Sequence, residues 1–253
     1  MSEQDPEFET TGSGAPIYRY EDVEPEPFSL AAGDEEAIAA ISAHIEQHVG
    51  PISSVFHEIV SDKVHIDVHI VAPNKDFPFY TLVTSGMSDL AMMVPEGAED
   101  VRYAELCVLL PSTWPMPDVG QLGSTFENED AYWPIGWMKF IARFPHEYRT
   151  WLGSGHTIPN GENAAPFASN TKLGCMMLLP SLSLPGEFHE LKISEEKTIY
   201  FYSLYAIYKE EMHLKMNKGV EALLEKFDEQ GISDVLDITR PNVAKKKGFL
   251  GLW

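Results

Sequence analysis

Residues 52–71 read Ile52-Ser-Ser-Val-Phe-His-Glu-Ile-Val-Ser-Asp-Lys-Val-His-Ile-Asp-Val-His-Ile-Val71. Two runs rich in β-branched residues, 52–60 and 64–71, flank the turn-like Ser61-Asp62-Lys63, so a β-hairpin is the economical expectation. On its N-terminal side Asp34 stands as the N-cap of a helix. The stripe Ile38, Ile41, Ile45 and Val49 then faces a core until Gly50 and Pro51 stop the helix. On its C-terminal side a third strand, Phe79–Val83, ends in Thr84-Ser85-Gly86, where Gly86 allows a sharp turn. A fourth, Tyr103–Leu110, is closed by Pro111.

The remaining chain mixes the two periodicities irregularly. Residues 111–130 are rich in Pro, Gly and acids and read as a long loop. Trp133, Trp137, Phe140, Ile141 and Phe144 fall on one broad helical face that Pro145 breaks or restarts. Residues 153–170 read as loop, and strands are expected at Cys175–Leu179, Glu187–Ile193 and Thr198–Ala206. Met212, Met216, Val220, Leu223 and Phe227 then mark a C-terminal helix. It carries Glu211 and Lys215 at ion-pair spacing, is interrupted at Gly219 and ends at Gly231. Without regular βαβ alternation the fold class is α+β. The expectation is a single compact domain over residues 34–243, with a mixed, largely antiparallel β-sheet flanked by helices. An acidic, Pro-containing lead-in covers residues 1–33 and a basic, then apolar tail covers 244–253. The lead-in is read as a solvated segment or as an acidic arm that touches a partner. The tail is open to three readings: a surface anchor, a docking peptide or a strand tucked on the domain.

Of the 253 residues, 39 are acidic and 18 basic, a formal charge of −21. Such a surface repels a phosphate backbone, which argues against direct nucleic-acid binding, and at long range it attracts a basic partner. The start of the chain lacks the cationic and apolar regions of a signal peptide, and no window approaches a membrane span. Cys107 and Cys175 sit in apolar runs and read as buried thiols of a reducing compartment, so a cytoplasmic location is expected.

Chemistry-bearing motifs are scarce. In His65-x-Asp67-x-His69, alternate strand residues point to one face, which makes a metal or hydrolase site conceivable. Same-face neighbours are about 6.5 Å apart, however, which is wide for a zinc centre unaided, so the expectation is no metal. The alternative is the polar face of a half-buried strand whose Ile66, Val68 and Ile70 turn inward. The patterns H-E-x-x-H, G-x-S-x-G, the P-loop and G-x-G-x-x-G are all missing. No catalytic residue and no cofactor is assigned, and the chain is not expected to be an enzyme.

Several segments together resemble the suppressor of fused family in its bacterial, single-domain branch. They are Ile66-Asp-Val-His-Ile-Val-Ala-Pro73, Thr81-Leu-Val-Thr-Ser-Gly-Met-Ser88, Glu105-Leu-Cys-Val-Leu-Leu-Pro111, Trp133-Pro134, Gly155-His-Thr-Ile-Pro-Asn-Gly161, Ile207-Tyr-Lys-Glu-Glu211, Lys218-Gly219 and Arg240-Pro-Asn-Val243. The likeness spans about residues 50–243. It implies a compact α+β domain without established catalytic residues that acts through protein contacts. Eukaryotic members bind and restrain a transcription factor of the Hedgehog pathway with two domains. This chain has room for one, so that activity is not carried over. Bacterial relatives look like immunity proteins of polymorphic toxin systems. The resemblance therefore implies an antitoxin-like protein that neutralises a basic toxin domain, such as a nuclease, by forming a stoichiometric complex. The alternatives are a metal-dependent or carboxylate-based hydrolase using His65, Asp67 and His69, and an adaptor for an endogenous partner. Long loops on a rigid domain commonly carry recognition. His156, Thr157 and Asn160, in the loop 153–170, are therefore the expected partner-binding residues.

Overall fold

The structure, a computed structural model, describes residues 9–20, 33–58, 63–116 and 128–245. In chain order the elements are β1 (Glu9–Thr10), β2 (Pro16–Ile17), α1 (Glu35–His48), β3 (Ile52–Phe56), β4 (Asp67–Val71), β5 (Phe79–Ser85), β6 (Ala104–Pro111), α2 (Glu129–Glu147), β7 (Thr157–Pro159), β8 (Leu173–Leu179), β9 (Glu190–Lys192), β10 (Thr198–Tyr208), α3 (Lys209–Lys218) and α4 (Val220–Gln230). β1 and β2 pair as a small separate hairpin. The other eight strands form one mixed sheet in the order β3-β4-β5-β6-β10-β8-β7, with β9 paired to β10. Its ladders are antiparallel except β6–β10, which is parallel. The expected α+β domain with a mixed, largely antiparallel sheet is the observed one.

Helices cover both faces of this sheet. The face with Val68, Ile70, Leu82, Leu106, Val108 and Leu110 packs on Ile135, Met138, Ile141 and Ala142 of α2. The opposite face turns Val71, Val83, Cys107, Leu109 and Phe201 to Ile41 and Ile45 of α1. Further along it, Cys175, Met177, Tyr205 and Ile207 meet Met212 of α3 and Leu223 and Phe227 of α4. Strands buried on both faces need apolar residues at nearly every position, which is why β6 and β8 read as continuous apolar runs.

Local chemistry sets the element ends. The Asp34 carboxylate accepts the N–H groups of Glu36 and Ala37, the cap expected from the sequence. α2 starts earlier than the aromatic stripe indicated, because Asn128 caps it by accepting the Asp130 N–H. It also runs through Pro145 instead of ending there. Each proline removes one helical hydrogen bond, and the Asp130 carbonyl opposite Pro134 is satisfied by Asn170 Nδ2 at 3.0 Å. Gly219 separates α3 from α4, and Gly231, in the left-handed conformation, ends α4 as expected.

Four other expectations need correction. The first strand of the hairpin ends at Phe56 and its partner begins at Asp67; residues 59–62 lie outside the described residues. The stretch Glu187–Ile193 is mostly a 3-10 turn, Gly186–His189, that inserts Phe188 into the core, and only Glu190–Lys192 is strand. The loop 153–170 contains a strand, β7. Glu211 does not pair with Lys215: its carboxylate is fully buried against Arg240.

Most of the basic and apolar tail, residues 246–253, lies outside the described residues, as do residues 1–8 and 21–32 of the lead-in. The described part of the lead-in, 9–20, rests on the domain at two places. The Ser13 N–H donates to the Met216 carbonyl at 3.0 Å. The Tyr20 hydroxyl lies 2.7 Å from Thr150 Oγ1, and its ring meets Phe144 edge-on and tilts against Tyr148.

Candidate functional site

β7 is an end strand of the sheet; it carries Thr157, and His156 and Asn160, the other residues expected to touch a partner, flank it. Gly155, at φ +84, turns the chain so that its N–H donates to the Leu178 carbonyl, and the Leu178 N–H donates to the His156 carbonyl. Thr157 and Pro159 then lie opposite Met177 and Cys175 of β8. Pro159 has no N–H to give, which suits an edge position. Asn160 ends the strand with its N–H on the Gly174 carbonyl at 2.8 Å. The following turn folds back over β8 so closely that a Cβ on Gly174 would lie 2.3 Å from the Ala164 carbonyl oxygen.

The three expected residues are thus gathered on one edge, each with an internal contact. The His156 ring stands edge-on to Trp151, with centroids 4.4 Å apart. Burial, with Lys215 nearby, pushes its pKa down to about 4, so the imidazole is neutral at pH 7. Thr157 Oγ1 accepts from Lys215 Nζ at 3.4 Å. Asn160 Nδ2 donates to the carbonyls of Ala165 and Pro166, so this side chain closes its own loop.

The row His65, Asp67, His69 is split rather than aligned. Asp67 is buried and accepts from His57 Nδ1 at 2.9 Å and from the Glu58 N–H at 3.1 Å, with His65 Nε2 at ion-pair distance, 3.1 Å. His69 turns to Ser85 Oγ at 2.9 Å, and burial holds its pKa below the ordinary histidine value. β4 is buried throughout, not half-buried, because β3 and β5 flank it and helices lie above and below. Among the described residues no group of three or more His, Cys, Asp or Glu is placed to hold a metal ion. Cys107 and Cys175 are both buried thiols, and burial raises the pKa of each.

Two buried networks were not visible in the sequence. Glu211, wholly buried, receives Arg240 Nη1 and Nη2 at 2.8 and 2.6 Å and the N–H groups of Tyr208 and Val243 at 2.9 Å. Arg240 also donates to the Ala206 carbonyl and stacks over Tyr208 and Phe227, so this pair latches the C-terminal segment to the sheet. On β6, Glu105 accepts from Thr84 Oγ1 at 2.6 Å, from Ser88 Oγ at 2.7 Å and from the Ser88 N–H at 2.9 Å.

Burial raises the Glu105 pKa from 4.5 to about 6, despite those donors. Between those two pH values the folded chain keeps a proton that the unfolded chain has released. The stabilising contribution is therefore complete below pH 4.5 and lost as pH rises through about 6. From pH 4.5 to 7 the unfolding free energy of the native protein should fall by about 2 kcal/mol more than that of Glu105→Gln. Urea titrations at the two pH values measure this, and parallel behaviour would refute it.

Among the described residues, one small cavity of about 20 Å³ lies beside Asp234 and Arg240 and another of about 50 Å³ between Lys63, Arg143 and His146. Each has room for a water or two rather than for an organic substrate. The arrangement defines an α+β domain with a helix-covered mixed sheet, a latched C-terminal segment and one edge strand framed by polar loops.

The family model for suppressor of fused protein (SUFU) matches residues 62–241, and the chain belongs to that family. A comparison with curated proteins gave no match. Among solved structures, a SUFU homologue from Neisseria gonorrhoeae FA 1090 is 18% identical with a TM-score of 0.60, covering 84% of this chain and 100% of that one. A Sufu–Fu complex is 15% identical at TM-score 0.58, covering 82% and 92%. Drosophila Suppressor of Fused is 16% identical at TM-score 0.56 over 84% of this chain, which spans only 54% of the Drosophila chain. At these identities the likeness is one of fold. Among the described residues no helix is long and apolar enough to cross a membrane.

Proposed function

We propose that this protein works by binding a protein partner stoichiometrically, without turnover, and that the partner is a basic domain of the kind a toxin carries. The observation that carries the binding reading is the place of β7 at the end of the sheet. An edge strand offers main-chain groups to which an extended partner segment can add, with side-chain selection from the flanking residues. His156, Thr157 and Asn160 supply polar groups there. A solved relative in complex with Fu supports protein binding as the mode of action. The charge of −21 supports a cationic partner, because it would steer a basic surface toward the domain while shape and paired hydrogen bonds select it.

Co-expression with the toxin-like product of a neighbouring gene tests this. The expected result is loss of toxicity and a complex on size-exclusion chromatography. Association should slow markedly between low and physiological salt, where the Debye length falls to about 8 Å, while dissociation changes less. Full lethality with the folded protein abundant and no complex formed would overturn the immunity role for that pair and favour an adaptor for an endogenous partner.

A further inference from the structure

The two hydrogen bonds that join residues 9–20 to the domain end on Met216 and Thr150, each one residue from a side chain that touches His156 or Thr157. At one end Ser13 binds the Met216 carbonyl, and Gly12 lies so close to α3 that a Cβ there would stand 3.0 Å from Asn217 Oδ1. The residue before Met216, Lys215, is the one that reaches Thr157. At the other end Tyr20 binds Thr150, and the next residue, Trp151, is the one that holds the His156 ring. The segment itself is preorganised. β1 and β2 pair, Thr11 Oγ1 accepts the Ala15 N–H, and Arg19 closes the hairpin on Glu9 at 2.9 Å. The domain side of the contact is a ready seat. Phe144, Tyr148 and Thr150 present two rings and a hydroxyl to one tyrosine.

We propose that residues 9–20 form a displaceable strap across the β7 edge, seated at Thr150 and at the C-terminal end of α3, which an incoming partner segment must dislodge. This rests on the binding role assigned to β7. The seat is an interaction surface in its own right, fitted to an extended segment that carries a tyrosine. Its occupant in the resting protein is the chain's own arm. Among the described residues its hydrogen bonds to the domain are those of Ser13 and Tyr20, beside the aromatic cluster around Tyr20, whereas the sheet is secured by burial on both faces. Elements held so lightly open far below the global unfolding free energy. An arm that is closed most of the time lowers the apparent affinity for a partner by the fraction of chains in which it is open.

Hydrogen exchange on the full chain, read without any partner, tests the strap. Three forms are compared: the native protein, Tyr20→Ala, and a Gly12→Cys/Asn217→Cys form oxidised to fix the arm in place. Cys107 and Cys175 are buried and do not interfere. Tyr20→Ala should speed exchange at least fivefold in residues 9–20 and also in 150–158. The oxidised form should slow both, and reduction should reverse that. Equal thermal midpoints in Tyr20→Ala and native protein show that the fold is intact. If the arm already exchanges at the rate of an unfolded peptide in the native protein, the strap does not exist. If Tyr20→Ala loosens the arm and leaves 150–158 unchanged, the arm does not cover β7. Either result overturns the proposal, whereas failure of the co-expression experiment would leave it standing and remove only the toxin assignment.

Discussion

Arg240→Ala should lower the unfolding free energy by about 3–5 kcal/mol, because it strands the fully buried Glu211 carboxylate without its counter-ion. The loss comprises more than one ion pair. Arg240 donates twice to Glu211 and once to the Ala206 carbonyl, and its guanidinium covers the rings of Tyr208 and Phe227. The remaining partners of Glu211, two backbone N–H groups, cannot neutralise a carboxylate in a dry setting. Replacing both residues by methionine removes the charge together with its partner, so the double variant should lose less than Arg240→Ala alone. Urea midpoints for the three proteins decide it. A double variant less stable than the single one would show that the pair contributes far more than its own desolvation cost.

Gly86→Ala should cost about 4 kcal/mol or more, among the largest losses a single substitution causes. Gly86 sits at φ +104, and a Cβ there would lie 1.8 Å from the His65 carbonyl oxygen, so the turn after β5 can form only if the approach to β4 opens. Gly97, at φ +87 with nothing within 4 Å of its would-be Cβ, separates strain from collision. Gly97→Ala should cost only about 1–2 kcal/mol, the penalty of a left-handed conformation alone. Equal losses at the two sites, measured by thermal and urea unfolding, would show that the turn after β5 yields without consequence.

How much of this could be read from the sequence depends on the distance over which each feature is decided. The N-cap at Asp34, the break at Gly219 and the stop at Gly231 are settled by residues within one turn, and all three stand where the sequence puts them. The sheet strands announce themselves through continuous apolar runs, so β5, β6, β8 and β10 were legible apart from their ends. β7 was not. Three residues ending in proline carry no alternation, and they become a strand because β8 lies alongside and Gly174 lets the returning loop approach. The same holds for Glu211. Helical spacing points to Lys215, but the partner that wins lies 29 residues away at Arg240, brought there by the chain crossing back over β10. His65, Asp67 and His69 illustrate a third limit. Alternation predicts a shared face, yet His65 precedes the strand, which begins at Asp67, and His69 finds Ser85 on the neighbouring strand before it finds Asp67. Of the expected contact residues, their gathering near one loop was legible, and their internal contacts with Trp151, Lys215 and the loop backbone were not.

The parallel pairing of β6 with β10 has a consequence for how the chain comes together. Tyr200 aligns with Ala104, so the middle of the sheet is a seam between segments almost a hundred residues apart. The meander β3 to β6 can assemble as it leaves the ribosome, since each strand pairs with the one just made. Its apolar β6 edge must then wait for β10, which at ~5–20 residues per second of synthesis is a delay of about 5–20 s. During that interval the nascent half-sheet offers an open, sticky margin, and its burden on the cell falls on chaperones rather than on the finished fold.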